Sequence, residues 1–95
     1  MPAVHLLGGM DTGHDCHPPR PNVQGSPNVI VEKKPVHRMG DMWAVHCCLL
    51  SCHSAALAKG SATVLINGQP CGRIGDPVSC GSFAIDGAMT VFAGG

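Results

Sequence analysis

Short apolar and β-branched runs alternate along the chain with segments rich in glycine, proline and polar residues. Val29–Val31 and Thr63–Ile66 are rich in β-branched residues, which favour strands. Asn67-Gly68 follows the second run and is a strong hairpin signal, because a type I′ turn needs a positive φ at both central residues. Pro35 and Pro70 come soon after the turn positions, and proline in a sheet occupies strand starts or edges. The pattern predicts short β-hairpins and no helices.

The hairpin pattern is repeated within the chain. Gly25–Asp41 matches Gly60–Asp76 at glycine, serine, valine, proline, arginine and aspartate positions, with a constant offset of 35 residues. In the first of these copies, Lys33-Lys34 is predicted to replace the Asn-Gly turn. The histidine and glycine positions of His5–His14 match those of His37–His46 at an offset of 32. A repeating unit therefore consists of a strand, a tight turn, a return strand, a glycine turn and a polar loop.

The first and last segments of the chain each resemble half of a repeat. Ala3–Leu7 has no outgoing strand before it, and Met89–Ala93 has no return strand after it. Pairing of these two segments would complete a third hairpin and close a ring, which would also remove exposed strand edges. We therefore predict an all-β fold for residues 1–95, a single domain with pseudo-threefold symmetry built from three β-hairpin repeats with long loops.

The composition indicates a thin hydrophobic core that needs additional support. The chain contains 13 glycines and 8 prolines, and its only aromatic residues are Trp43, Phe83 and Phe92. Domains of this size usually rely on disulfides, a metal ion or an oligomer for stability. Six cysteines and six histidines could supply such a staple.

The charge balance argues against several classes of function. Six acidic and six basic residues give a formal net charge of zero, whereas a nucleic-acid surface or an anionic membrane surface needs a basic excess. The N-terminal residues lack the basic segment of a secretory signal peptide, and no apolar run approaches the length of a transmembrane helix. If the protein leaves its cell, we expect it to travel on another protein.

Histidines and cysteines in the loops form a candidate metal site. Under threefold pseudosymmetry, equivalent loop positions approach one axis, and these positions hold His14, His46 and, one residue before the equivalent place, Cys80. Nitrogen and sulfur ligands of this kind suit Zn²⁺, and structural zinc sites are normally four-coordinate. His53 follows His46 in the longest loop. The predicted ligands are therefore His14, His46, His53 and Cys80, with one structural zinc ion per chain.

Other residues in the same loops could change this ligand set. His17 could replace His53, and a thiolate-rich site could use Cys48 and Cys52. An even number of cysteines also permits disulfides, with Cys48–Cys52 and Cys16–Cys47 as possible pairs, but the accompanying histidines favour a metal ion. In the return strands, His5 and His37 are expected to be structural or surface residues, and Cys71 is expected to be a small buried residue.

The repeated motif resembles that of the PAAR-repeat family. The family pattern is a Gly-Ser-x-x-Val-x-x-Asn-Gly-x-Pro hairpin, an Ala-Arg-x-Gly-Asp turn and a later His or Cys, and Gly60–Asp76 followed by Cys80 resembles it. The pattern recurs, with a different turn, in Gly25–Asp41 followed by His46, and the resemblance extends over residues 3–95. Thr12-Gly13-His14 is also similar to the spike-tip proteins of myophages. The resemblance implies a cone-shaped domain with a zinc ion near its apex, held by three histidines and one cysteine.

The resemblance also implies a structural function in a contractile injection system. The domain would cap a trimeric β-helical spike protein, either a phage central spike or a VgrG-type spike, and would sharpen it for piercing the target cell envelope. One copy would bind each trimer, and the domain would be a monomer on its own. It would meet the target cell envelope transiently and would not bind nucleic acid. The expected locations are the spike tip of a virion baseplate, or the bacterial cytoplasm before ejection into the target cell by a type VI secretion system.

Two alternatives give the metal ion a different purpose. A zinc-dependent hydrolase or effector would need an open coordination position and a nearby carboxylate base. Asp15 is the only acidic residue beside a predicted ligand, no His-Glu-x-x-His motif occurs, and Asp41 and Asp76 recur in Gly-Asp turns. A zinc-binding adaptor module for cargo would be expected to have an added domain. The sequence therefore favours a protein without catalytic residues.

Overall fold

The computed structural model describes residues 1–95 and contains no helix. Its strands form three two-stranded antiparallel sheets, and the molecule is elongated, with extents of 38 × 23 × 23 Å. The predicted all-β, cone-like fold of hairpin repeats is confirmed. None of its elements is a helix that could cross a membrane. The strand pairs are β1 (Ile30–Val31) with β2 (Lys34–Pro35), β3 (His46–Cys48) with β4 (Ser51–His53), and β5 (Leu65–Ile66) with β6 (Gln69–Pro70).

The hairpins β1–β2 and β5–β6 occupy equivalent places in two repeats and have the same register. Val31 and Ile66 are partly buried and pack against the core, whereas their neighbours Ile30 and Leu65 are exposed. This alternation follows from the strand geometry, in which successive side chains point to opposite faces. Each hairpin therefore presents one apolar face to the core and leaves one large apolar side chain in solvent.

The turn of β1–β2 lies one residue earlier than the sequence predicted. Glu32 and Lys33 are the central turn residues, with φ values of 51° and 68°, and Lys34 begins β2, so the prediction that Lys33-Lys34 forms the turn is wrong. If β1 were shifted by one residue against β2, Val31 would point away from the core. The burial of Val31 therefore determines the strand register, and the register determines which residues form the turn. The Glu32 carboxylate accepts hydrogen bonds from the N–H and hydroxyl of Thr90, at 2.8 and 2.7 Å, which help to hold the turn in place.

The first and last segments pair with each other and close the ring. Ala3 bridges Phe92, and the N–H of Val4 donates to a carbonyl of the last segment at 3.0 Å. Val36 and Cys71, the equivalents of Val4 in the other repeats, donate in the same way to valine carbonyls at 3.1 and 2.9 Å. The third hairpin expected from the repeats is therefore present as a bridge between distant parts of the chain.

Three equivalent backbone positions form a closed ring of hydrogen bonds that expresses the pseudo-threefold symmetry. The N–H of His5 donates to Gly72, that of Gly72 to His37, and that of His37 to His5, at 2.8, 2.8 and 3.0 Å. A Cβ atom at Gly72 would lie only 2.7 Å from the carbonyl oxygen of His37, so this position has no room for a side chain. The other two positions of the ring are histidines. The rings of His5 and His37 are buried against Trp43 and act as core residues.

Two separate hydrophobic clusters form the core. The first packs against the hairpin strands, and the second packs against Cys80 in the loops. Burial raises the pKa of the Cys71 thiol, in the first cluster, to about 11, so this side chain stays protonated and behaves as a small apolar residue. The first cluster contains Val4, Leu6, Val36, Cys71, Ala88 and Ala93, and the second contains Trp43, Ala55, Leu57, Val78 and Ala84.

Acid is expected to destabilise the fold through His37. Burial lowers the pKa of His37 to about 4, although its Nδ1 donates a hydrogen bond to the Gln24 carbonyl. The folded protein therefore binds fewer protons than the unfolded chain, in which histidine titrates near about 6.5. This contribution to the free energy of unfolding, about 3 kcal/mol, is complete above about pH 6.5 and is lost as the pH falls towards about 4.

Urea unfolding at several pH values, on the native protein and on His37→Gln, measures this contribution. Both proteins keep the same candidate metal ligands, so the difference between their pH profiles isolates His37. The variant should show the shallower loss of stability between about pH 6.5 and 4. Parallel profiles would show that the buried imidazole does not control the acid response.

Candidate metal centre

Two predicted ligands face each other across a hairpin that the sequence did not predict. His46 in β3 lies directly opposite His53 in β4, so both side chains project from the same face. Their Nε2 atoms are 2.8 Å apart. The sequence placed these residues in a polar loop because the turn is formed by Leu49 and Leu50, which are not typical turn residues.

A tight turn in the first loop directs His14 to the same point. His14 and His17 exchange two backbone hydrogen bonds, at 3.1 and 2.8 Å, around Asp15, which has a φ of 51°. The Nε2 atom of His14 lies 2.9 Å from that of His53 and 3.1 Å from that of His46. A tetrahedral zinc ion with bonds of about 2.0–2.1 Å would separate two nitrogen ligands by roughly 3.3–3.4 Å. The three imidazoles therefore converge nearly as they would around a metal ion.

Cys80 completes a group of four side chains. The third loop turns at Gly81, whose φ is 106° and whose N–H donates to the Val78 carbonyl at 2.9 Å. This turn brings the Cys80 thiol to the histidines. The structure brings together four residues whose ligand atoms all lie within 4.8 Å of one another and could hold a metal ion: His14, His46, His53 and Cys80.

Contacts behind two of the three imidazoles help to direct their Nε2 lone pairs to the centre. Nδ1 of His46 donates to the Pro18 carbonyl at 2.9 Å, which fixes the tautomer with a free Nε2. Nδ1 of His14 lies 3.6 Å from the Asp15 carboxylate. Burial lowers the pKa of His46, and desolvation together with the neighbouring histidines lowers the pKa of His53. Both shifts favour the neutral imidazole, which is the form that binds metals.

A buried ion pair beneath this group was not predicted from the sequence. Arg20 and Asp11 are 2% and 0% exposed, and Nε of Arg20 donates to Asp11 at 3.0 Å. The guanidinium also donates to the His53 carbonyl at 3.2 Å and to Sγ of Cys80 at 2.9 Å. Burial alone would raise the pKa of Asp11, but hydrogen bonds from Ser82, from two backbone N–H groups and from Arg20 bring it below its ordinary value. The pair stays charged and joins three loops.

His17 lies beside the group of four but is directed elsewhere. Its Nε2 donates to the Ser51 carbonyl at 2.9 Å, and its ring packs 4.5–4.7 Å from the rings of the three converging histidines. Its Nδ1 is buried without a hydrogen-bond partner. His14, Asp15 and His17 form a second group with ligand atoms within 4.8 Å, but the Nε2 of His14 faces the first. The structure therefore places His17 as a neighbour of the four residues.

Four cysteines form disulfides, whereas the sequence favoured a metal over disulfides. Cys47 is bonded to Cys52, and Cys48 is bonded to Cys16. The pairs considered from the sequence, Cys48–Cys52 and Cys16–Cys47, are both wrong, because the register of β3–β4 places Cys47 directly opposite Cys52. A thiolate-rich site using Cys48 and Cys52 is therefore not available. The free cysteines are Cys71 and Cys80.

Comparison with known proteins gives one family and two bacterial relatives. Residues 12–86 match the family model described as PAAR motif. The NAD(P)(+) glycohydrolase toxin Tse6 and the (p)ppApp synthetase toxin Tas1, both of Pseudomonas aeruginosa, are each 34% identical to this chain over 79 residues. Each match covers 77% of this chain and 18% of the toxin, so the chain spans about a fifth of the length of these relatives.

Proposed function

The chain belongs to the PAAR-motif family, and on this premise we propose that it is the structural tip of a contractile injection spike. The end formed by β1–β2, β5–β6 and the Ala3–Phe92 bridge, here called the hairpin end, caps a trimeric β-helical spike protein. The opposite end, here called the loop end, contains His14, His46, His53 and Cys80 and forms a rigid point with one structural zinc ion near the apex. Residues 1–95 act as one domain in this role. The toxin relatives favour a VgrG-type spike of a type VI secretion system over a phage central spike.

The observation that carries this proposal is a threefold set of exposed apolar side chains. Ile30, Leu65 and Phe92 hold equivalent positions in the three repeats and are 54%, 60% and 51% exposed. Single exposed apolar residues are ordinary on protein surfaces. Three at symmetry-equivalent positions match a partner that itself has threefold symmetry. Their burial against the end of a trimer would also cover strand edges of that trimer.

Contacts between successive repeats keep this docking surface in one arrangement. In each contact, a residue at or near a hairpin turn is hydrogen-bonded to the start of another repeat, so the three repeats are linked in a cycle. A rigid surface loses little conformational entropy on binding, which favours association. The bonds are Ser26 to Asn67, Thr90 to Glu32, and Ser61 to the carbonyl of Gly94.

The proposed zinc ligands are His14, His46, His53 and Cys80. Together their three nitrogen atoms and one sulfur atom would form a closed set of four protein ligands, the coordination number of structural zinc sites. The hydrogen bond from Nδ1 of His46 to the Pro18 carbonyl is of the kind that orients metal-binding histidines. A structural zinc ion in a small domain contributes on the order of 10 kcal/mol of folding free energy. Because the two hydrophobic clusters of this chain are small, such a contribution would be a large share of its total stability.

A hydrolase is less well supported than a structural tip. Asp15 faces Nδ1 of His14 and not the centre of the four ligand atoms, and the carboxylate of Asp11 is held by Arg20 and Ser82. We assign the activities named for the two toxins to the parts of their chains outside the matched 18%. Because both relatives are toxins, carriage of a toxin as cargo is a second candidate function, and it is compatible with the first.

The protein is expected to be a monomer alone and to bind its cognate spike as one copy per trimer. Native mass spectrometry of the purified complex measures this stoichiometry. The double variant Ile30→Asp/Leu65→Asp should lose binding, because it would bury two uncompensated charges in the interface. Leu49→Asn makes a similar apolar-to-polar change in a different hairpin and should bind normally. Three copies per trimer, or a stable homotrimer of this chain, would contradict the proposal.

A further inference from the structure

The turn of the β3–β4 hairpin presents two leucines to solvent. Leu49 is 94% exposed, and Leu50 is fully exposed. Leu49 also has a φ of 55°, at the first position of a two-residue turn, where glycine or asparagine is preferred. The chain therefore has a large apolar side chain where the backbone favours a different residue, and this side chain gains no burial within the protein.

The same hairpin is the most heavily cross-linked part of the chain. The Cys47–Cys52 disulfide joins its two strands, and the Cys16–Cys48 disulfide ties the residue directly before the turn to the first loop. At its base, His46 and His53 belong to the candidate metal centre. The two leucines therefore project from a braced support, so their exposure does not depend on a mobile loop.

We propose that Leu49 and Leu50 contact a lipid bilayer and insert at the boundary between its headgroups and acyl chains. The inference rests on the proposed function, in which the loop end is the part of the spike tip that reaches the target cell envelope first. Residues 42–58 contain no lysine, arginine, aspartate or glutamate, so the contact would be apolar and independent of lipid charge. The exposed carboxylate of Asp15, in the loop joined to the hairpin, would remain at the level of the headgroups.

The size of this surface favours a bilayer over a protein partner. A stable protein interface buries about 800 Å² on each side and needs close shape complementarity. A turn of two leucines cannot supply such an area. A bilayer deforms around an inserted side chain and needs no matching pocket, and the transfer of apolar surface is favourable in proportion to its area. Two leucines give a weak and reversible contact, as expected for a surface that is met only briefly.

Vesicles of zwitterionic phosphatidylcholine provide the test, with the full chain in its disulfide-bonded, metal-loaded form. In Leu50→Trp, the introduced indole should shift its emission to shorter wavelength as lipid is added, and the shift should persist at high salt. The native Trp43 is buried and should contribute a constant background. In flotation, Leu49→Asn/Leu50→Asn should partition at least about tenfold less than the native protein. Val23→Thr makes an apolar-to-polar change at an exposed residue outside both proposed surfaces and should partition as the native protein does.

Thermal unfolding separates loss of contact from loss of fold. Asparagine tolerates the positive φ at position 49, so Leu49→Asn/Leu50→Asn should be as stable as the native protein.

The inference is overturned if the indole emission does not change, if the double variant floats as well as the native protein, or if binding requires anionic lipid and disappears with salt. The vesicle assay contains no spike. A protein that caps the trimer but does not float would therefore refute this inference alone, and the reverse result would refute the capping function alone.

Discussion

Replacement of Cys80 by alanine is expected to abolish metal binding and to lower the unfolding temperature by tens of degrees. Cys80 supplies the only sulfur among the four ligand atoms within 4.8 Å of one another, and structural zinc is worth on the order of 10 kcal/mol in a small domain. For a domain of about this length, each 1 kcal/mol shifts the unfolding temperature by roughly 4–8 °C. Elemental analysis and thermal unfolding of the same sample measure both effects.

Other cysteine variants provide the controls for this experiment. Cys71→Ala removes the other free thiol and should retain one metal ion per chain. Cys52→Ala removes a disulfide without removing a proposed ligand and should also retain the metal. Full zinc content in Cys80→Ala, together with its loss in Cys52→Ala, would refute the ligand set. Retention of the complete fold after a chelator has removed all metal would refute the stabilising role of the metal ion.

Replacement of Arg20 by methionine is expected to lower the free energy of unfolding by about 3–5 kcal/mol, because it leaves the charge of Asp11 buried without its partner. Arg20→Lys should also be destabilising. A lysine ammonium cannot reproduce the planar fork that now reaches Asp11, Cys80 and two backbone carbonyls. Urea unfolding of the metal-saturated proteins measures the loss.

A double variant tests whether the cost of this change comes from the unpaired charge. In Arg20→Met/Asp11→Asn both charges are removed, so the loss should be smaller than the sum of the two single losses. Lys59→Met removes a charge from an exposed lysine and should change the free energy of unfolding by less than about 0.5 kcal/mol. Strict additivity of the two single variants would show that the ion pair does not act as a unit.

The repeats made most of the fold predictable. A pattern that recurs at a fixed offset specifies which residues are equivalent, and equivalent residues of a ring meet around one axis. That reasoning predicted the pairing of Ala3–Leu7 with Met89–Ala93, which the structure confirms. It also predicted that His14, His46 and the neighbouring Cys80 would meet at the axis, whereas His53 was added because it lies in the longest loop. The structure brings these four residues together, while their role as zinc ligands stays a prediction.

Features without a repeated or local signal were not predictable. The β3–β4 hairpin turns on Leu49 and Leu50, so its sequence carries none of the glycine or asparagine that usually marks such a turn. The disulfides depend on that hairpin register and could not be paired without it. The ion pair between Arg20 and Asp11 joins two loops through tertiary packing, and its only hint in the sequence is an arginine enclosed by prolines in Pro18–Pro21.

The bridge between Ala3 and Phe92 has a consequence for the order of folding. The hairpins β1–β2 and β5–β6 join residues that are close in sequence, so they can form as soon as they are synthesised. The ring cannot close before Phe92 has left the ribosome, and contacts between such distant residues form slowly. Until that moment the edge strands on either side of the gap are unpaired and open to other chains. Aggregation during synthesis should therefore depend on how quickly the ring closes rather than on how stable the finished protein is.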